Sequence, residues 1–218
     1  MSASSLEITV RGEPFELLSE GALLYPAKKI LAVADFHLGK SETFGRYGLA
    51  LPPQAQKNDL KKLSDLLKQH DIERLLFLGD LVHSKLGLTP ELQTEFIEEL
   101  APFKGDIHLL AGNHDRGLVK QWPKAWERIS VLPEWKEGAF LFRHEPQAAA
   151  EFVWAGHVHP CVKLKSGPDY LRLRTFVIDE NLGLLPAFSS LAGGFDLPKT
   201  PEKKFYALGE NQVFEIRG

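Results

Sequence analysis

Apolar and polar positions divide the chain into short alternating and continuous runs. Leu6-Glu7-Ile8-Thr9-Val10 alternates with period two, Arg11-Gly12-Glu13-Pro14 reads as a turn, and Phe15-Glu16-Leu17-Leu18 resumes the strand pattern. Lys29-Ile30-Leu31-Ala32-Val33-Ala34 is nearly continuous in apolar character, as expected of a strand covered on both faces. Residues 53–69 predict a helix: Pro52 and Pro53 suit its first turn, and Leu60, Leu63 and Leu67 recur on one face. Arg74-Leu75-Leu76-Phe77-Leu78 predicts a second buried strand. Thr89-Pro90 starts a second helix with Leu92, Phe96 and Leu100 inward. Asp106–Ala111 predicts a third strand. The second half is richer in strand, over 139–142, 152–155, 170–178 and 183–188. A closing hairpin pairs 204–208 with 212–216 around Gly209-Glu210-Asn211. Strands alternating with helices, followed by extra strands, predict one layered α/β domain spanning residues 1–218.

Composition narrows the class. The chain has 218 residues, enough for a substantial core, and its 44% apolar and 25% charged content excludes a disordered or fibrous chain. Cys161 is the single cysteine, which excludes an internal disulfide and a multi-cysteine zinc site and fits a reducing compartment. MSASSLEITVRGEPF has no apolar segment of a signal peptide, and no apolar run approaches the ~20 residues of a membrane helix, so the expected location is cytoplasmic, away from membranes. A net charge of −3 argues against gripping nucleic acid by bulk charge alone.

Chemistry sits where the strands end. Asp35-Phe36-His37, Gly79-Asp80, Asn113-His114-Asp115, His144 and His157-Val158-His159 each follow an apolar strand. Taken singly, each reads as an ordinary turn or strand end. Together they place candidate ligands at the carboxyl edge of a sheet, where α/β folds bind ligands. Asp35, His37, Asp80, Asn113, His144, His157 and His159 offer carboxylate, amide and imidazole donors suited to divalent first-row metals. Seven groups are too many for one tetrahedral zinc and fit two ions sharing a carboxylate. Gly79, Gly112 and Gly156 precede ligands and allow the backbone to turn sharply there.

This series resembles the calcineurin-like metallophosphoesterase superfamily. The resemblance spans residues 35–159, and it implies a four-layer αββα sandwich with a two-metal site at the strand ends. It assigns Asp35, His37, Asp80 and His159 to one ion and Asp80, Asn113, His144 and His157 to the other, with Asp80 bridging. A finer match rests on Asp35-Phe36-His37-Leu38-Gly39-Lys40, Phe44, Arg46, Gly48 and Pro52, on Leu78–Ser84, and on Leu185-Pro186-Ala187-Phe188 with Gly193-Gly194. It is similar to the bacterial ligase-associated DNA damage response endonucleases. That family implies a manganese-dependent phosphodiesterase acting on DNA, associated with an ATP-dependent DNA ligase, a helicase and an exonuclease. Iron, zinc and other divalent ions also suit mixed N/O donors.

Two divalent ions about 3.5–4 Å apart activate water and clamp a phosphate oxygen. His114 is the expected catalytic group outside the ligand set, stabilising the transition state or protonating the leaving oxygen, with Asp115 holding its other ring nitrogen. His83, three residues after Asp80, is placed to reach substrate. Lys163 and Lys165 share a strand face, as do Arg172 and Arg174, and with Lys40 and Arg46 they are candidate DNA-backbone contacts. Phe44 and Tyr47 are candidate stacking groups, whereas Trp154 sits in an apolar strand and reads as core. His70 reads as a helix-end residue, and His108 and Cys161 as packed groups. Two other readings are open: hydrolysis of small nucleotides or phosphomonoesters, and a catalytically silent protein-binding scaffold, although a scaffold need not keep its ligands and this chain has all of them. The metals would turn the charge balance positive where a phosphate must bind, so the net acidity does not exclude DNA.

Overall fold

The computed structural model describes residues 5–118, 122–166 and 169–216. A first sheet runs in chain order through β1 (Ser5–Val10), β2 (Glu13–Leu18), β3 (Leu23–Tyr25), β4 (Ile30–Val33), β5 (Arg74–Phe77), β6 (Asp106–Leu110) and β7 (Ile129–Leu132). Its first four strands pair antiparallel and the last four parallel, with Val33 beside Phe77 and Phe77 beside Leu109. Helices carry the chain back between β4 and β5 and between β5 and β6, as parallel neighbours require. These are α2 (Pro53–Gln69), entered through Pro52, and α3 (Pro90–Leu100), where the Thr89 hydroxyl accepts the Leu92 N–H at 3.3 Å. A short helix, α1 (Lys40–Arg46), lies against the turn Lys85–Gly87.

A second sheet contains β8 (Trp135–Glu137), β9 (Phe140–Arg143), β10 (Phe152–Ala155), β11 (Pro160–Ser166), β12 (Asp169–Ile178), β13 (Leu182–Leu184), β14 (Phe195–Asp196), β15 (Lys204–Leu208) and β16 (Val213–Ile216). Its main path is β14-β11-β12-β13-β10-β9-β8, and β15 joins β12 and β16. Strands β9, β10 and β13 are parallel. The predicted stretch 183–188 is strand only at its start, and the remainder continues as a loop.

The two sheets pack face to face. Ile30, Ala32, Leu76 and Leu110 meet Phe140, Phe142, Phe152, Trp154 and Phe176 in one buried cluster. Burying each of these Phe rings contributes roughly 1.5–3 kcal/mol before entropy is counted. Alternation sends Leu31, Val33, Leu75, Phe77, Ile107 and Leu109 to the other face of the first sheet, against Leu60, Leu63, Leu66, Leu92, Phe96 and Leu100. Leu67 of the predicted stripe is only partly buried, and Leu66 takes the core position.

The fold is the expected two-sheet sandwich, with a correction to its outer layer. Leu141, Val153, Val177, Phe205 and Ala207 form a small cluster on the far face of the second sheet. Among the described residues no helix contributes to that cluster, so the helical layer lies on one side.

Candidate metal centre

Parallel strands put their carboxyl ends on one edge. Asp35 and His37 follow β4, Asp80 follows β5, Asn113–Asp115 follow β6, His144 follows β9, and His157 and His159 follow β10. The chain bends sharply at these points. Asp35, His37, Asp80, His157 and His159 all have left-handed backbone, with φ from 48° to 69°. Such values are uncommon outside glycine and mark segments that the surrounding structure holds in place. Gly79 is left-handed as well, and a Cβ there would lie 2.2 Å from His144 Nδ1. Gly112 is needed for closeness rather than for turning, since its Cβ would lie 2.3 Å from Asp80 Oδ1.

The structure gathers two groups of potential ligands. Asp35, His37 and His159 form one, and Asp80, His144 and His157 the other, each with its ligand atoms within 4.8 Å of one another. In the first, His159 Nε2 lies 3.2 Å from Asp35 Oδ1 and 3.3 Å from His37 Nε2. In the second, His144 Nε2 is 3.0 Å from Asn113 Oδ1, 3.0 Å from His157 Nδ1 and 3.5 Å from Asp80 Oδ1. The two groups adjoin, with His144 Nδ1 3.9 Å from Asp35 Oδ1.

These contacts are what divalent cations require. His144 Nδ1–H donates to the Leu78 carbonyl at 2.9 Å and His159 Nδ1–H to the Gly193 carbonyl at 3.1 Å, so each turns an Nε2 lone pair inward. Burial pushes His37 down to about 2, helped by His159 and Lys40, which keeps its imidazole neutral. Asp35 is fully buried, yet its Oδ1 has no hydrogen-bond donor. Acceptor atoms converging without donors are costly unless a cation sits among them. The donor set therefore fits the two divalent metals that this fold implies.

Beside this centre, His114 Nδ1–H donates to the His83 carbonyl at 2.8 Å, leaving Nε2 3.8 Å from Asp80 Oδ2. Asp115 does not hold the His114 ring, which corrects the expectation from their adjacency. Its carboxylate accepts backbone N–H groups of Gly112 at 3.0 Å, Val82 at 3.1 Å and Leu81 at 3.4 Å, tying two strand-end loops together. Burial nevertheless pushes the Asp115 carboxyl up to about 6 against those bonds. The His83 ring packs 5.4 Å from His114, 5.5 Å from His37 and 5.7 Å from Phe44 between centroids. Lys40 is half-buried nearby, and its charge pushes His83 further down, to about 4, after burial.

The other predicted contacts lie on α1 and on the second sheet. Arg46 and Tyr47 are exposed at the end of α1. Lys165 is exposed on β11, but Lys163 is paired with Asp196 at 2.6 Å. Asp196 also binds Arg172 at 2.5 Å, so the expected free basic stripe is partly neutralised. Arg174 donates to the Ala187 and Phe188 carbonyls instead of facing solvent. His108 packs 4.6 Å from the Trp135 ring, and Trp154 is core. The carbonyls of Leu78, His83 and Gly193 were invisible in the sequence, because any residue type supplies one.

Fold and site together define a metal-dependent phosphoesterase of the hydrolase class. Residues 28–167 match the family described as calcineurin-like phosphoesterase, and the chain belongs to that family. A nuclease from Pseudomonas putida, MPE, is similar over 98% of this chain and 100% of its own, at 34% identity and a TM-score of 0.82. That similarity supports the finer resemblance to the DNA damage response endonucleases. Weaker likenesses join it to a protein of unknown function, AQ665, from Aquifex aeolicus, at 17% identity, TM-score 0.36 and coverage of 54% of this chain and 60% of that one. Vps29 of Chaetomium thermophilum has 13% identity, a TM-score of 0.37 and coverage of 83% and 81%. No curated protein matches the chain. No helix among the described residues is long and apolar enough to cross a membrane.

Proposed function

We propose that this chain is a DNA endonuclease that hydrolyses phosphodiester bonds with two divalent ions, manganese by preference, in the service of DNA repair. The carrying observation is the pair of adjoining ligand groups at the strand ends, in a chain similar along nearly its whole length to a nuclease. Asp35, His37 and His159 would hold one ion, and Asn113, His144 and His157 the other, with Asp80 shared. When bound, the ions neutralise phosphate charge and lower the pKa of water near neutral pH. Association with an ATP-dependent DNA ligase, a helicase and an exonuclease belongs to the same reading and rests on the family resemblance.

The chain's own residues then have separate tasks. Carrying a proton on both ring nitrogens, His114 would present Nε2–H toward the centre, where it hydrogen-bonds the phosphate or hands that proton to the leaving oxygen and keeps the Nδ1 proton. The His83 carbonyl holds the Nδ1–H and so fixes the orientation of the ring. Asp115 acts through the backbone, keeping the loops that carry Asp80 and Asn113 in register. Lys40 would add positive charge beside the same rim, with Arg46, His83 and Lys165 as further candidate substrate contacts.

The test uses circular single-stranded DNA, duplex DNA and an aryl phosphodiester, each with manganese, other metals or chelator. Manganese-dependent opening of a circle supports the proposal, because a circle offers no end. Turnover of the aryl ester with intact circles under every metal would refute an endonuclease.

A further inference from the structure

The late segment Leu185-Pro186-Ala187-Phe188 through Gly193-Gly194 has no task in the reading above, yet it touches two of the proposed ligands. Phe188 N–H donates to the Ala34 carbonyl at 2.8 Å, and Ser189 N–H to the Asp35 carbonyl at 3.4 Å. The Gly193 carbonyl accepts His159 Nδ1–H at 3.1 Å, and Phe195 N–H returns to the His159 carbonyl at 2.9 Å. The Phe188 ring stacks on Phe36, between Asp35 and His37, at 5.5 Å and 15°. Among the described residues, the segment's hydrogen bonds to proposed ligands run to Asp35 and His159.

Side chains from elsewhere hold the segment in turn. Arg174 Nη1 donates to the Ala187 carbonyl at 2.8 Å and to that of Phe188 at 3.2 Å. Lys62 Nζ donates to the same Phe188 carbonyl at 2.9 Å and lies 3.9 Å from the centre of the Phe188 ring. Asp59 joins Lys62 at 3.1 Å and accepts the Ser190 N–H at 2.8 Å. Arg172 donates to the Gly194 carbonyl. An arginine and a lysine that are both partly buried donate to loop carbonyls here, so this loop is held by more than its chain connections.

We propose that Leu185–Phe195, gripped by Lys62, Arg172 and Arg174, positions the Asp35/His37/His159 group and sets the affinity of that ion independently of the other. These are positioning residues: they act through the backbone of Asp35 and through the orientation of the His159 ring. Partners that orient a metal-binding histidine typically change affinity about 10–100-fold when lost. The inference rests on the two-ion reading above.

The experiment is a Mn2+ titration of the full chain, followed by the spin resonance signal of the free ion. Wild type should take up two equivalents. Arg174→Met should weaken one of them about 10–100-fold. Placed in a His144→Ala background, it should weaken the single equivalent left; in a His37→Ala background, it should leave that equivalent unchanged. Arg174→Lys, which keeps a cation and one donor, should restore part of the loss. Should Arg174→Met not fold, Arg172→Met tests the same selectivity from the exposed side. Equal weakening in both backgrounds, or no weakening in either, overturns the inference while wild type still binds two equivalents. Fewer than two equivalents in wild type overturns the two-ion reading itself.

Discussion

His114 turns its Nδ1–H onto the His83 carbonyl at 2.8 Å, so the nitrogen left facing the Asp80 carboxylate, 3.8 Å away, is Nε2. A backbone acceptor cannot be removed by substituting its own side chain, which makes the His114 ring the informative target. His114→Ala should keep both manganese equivalents and lose about 10²–10⁴-fold in kcat on DNA. Single-turnover cleavage beside metal stoichiometry checks this, and unchanged kcat with both ions bound removes His114 from the mechanism.

Asp115 predicts a different signature. Its carboxylate accepts three backbone N–H groups, so Asp115→Ala should leave buried donors without partners, at about 1–3 kcal/mol each. Asp115→Asn keeps one acceptor oxygen and should lose less. Urea unfolding of both variants measures the difference. Loss of activity without loss of stability would return Asp115 to the catalytic role expected from its neighbour.

The same carboxyl gives a pH dependence. Its folded value, about 6, lies above the ordinary Asp value of 3.8, so the fold favours the protonated form. The stability this contributes is complete below pH 3.8 and is lost as pH rises through about 6. In metal-free protein, wild type should therefore fall relative to Asp115→Asn between those limits. Denaturation at pH 4, 5, 6 and 7 reads that difference, and the opposite slope contradicts it.

Gly79 has a φ of 75°, and a side chain there would run into His144. Gly79→Ala should displace His144 and weaken the ion held by Asn113, His144 and His157 by at least about tenfold, on the scale of a disturbed ligand. A manganese titration in which both equivalents are unchanged would show that the loop yields instead.

Lys165 and Lys40 separate DNA contact from phosphate contact. Lys165→Glu should slow DNA cleavage, reduce its salt dependence and spare the aryl phosphodiester, since an exposed strand lysine meets a long substrate only. Lys40→Ala should slow both substrates, because its charge already acts on His37 and His83 at the centre. Equal losses on both substrates for Lys165→Glu would contradict a DNA track along β11.

Much of this arrangement is written in local pattern. The strand ends at Asp35, Asp80, Asn113 and His157 were legible because each closes a mostly apolar run with a cluster of ligand-type residues, and α3 because Thr89-Pro90 is a strong start. Short elements were not. Strands β7 and β8 carry no unbroken apolar run, since Ser130, Lys136 and Glu137 interrupt them, and α1 contains Gly45 and is held by contacts with the Lys85–Gly87 turn. Arg174 read as a DNA-backbone contact, because nothing local reveals that its partners are the Ala187 and Phe188 carbonyls. Adjacency misled at His114-Asp115, where consecutive side chains serve different neighbours.

In the proposed mechanism the strand-end ligands hold two ions that act together on a phosphodiester. A manganese titration of wild type and Asp80→Asn, with circular DNA cleavage measured on the same samples, tests it most directly. Wild type should take up two equivalents and open circles, and Asp80→Asn should show weakened uptake with cleavage abolished. Cleavage by Asp80→Asn at the wild-type rate, or by wild type holding no metal, would contradict it.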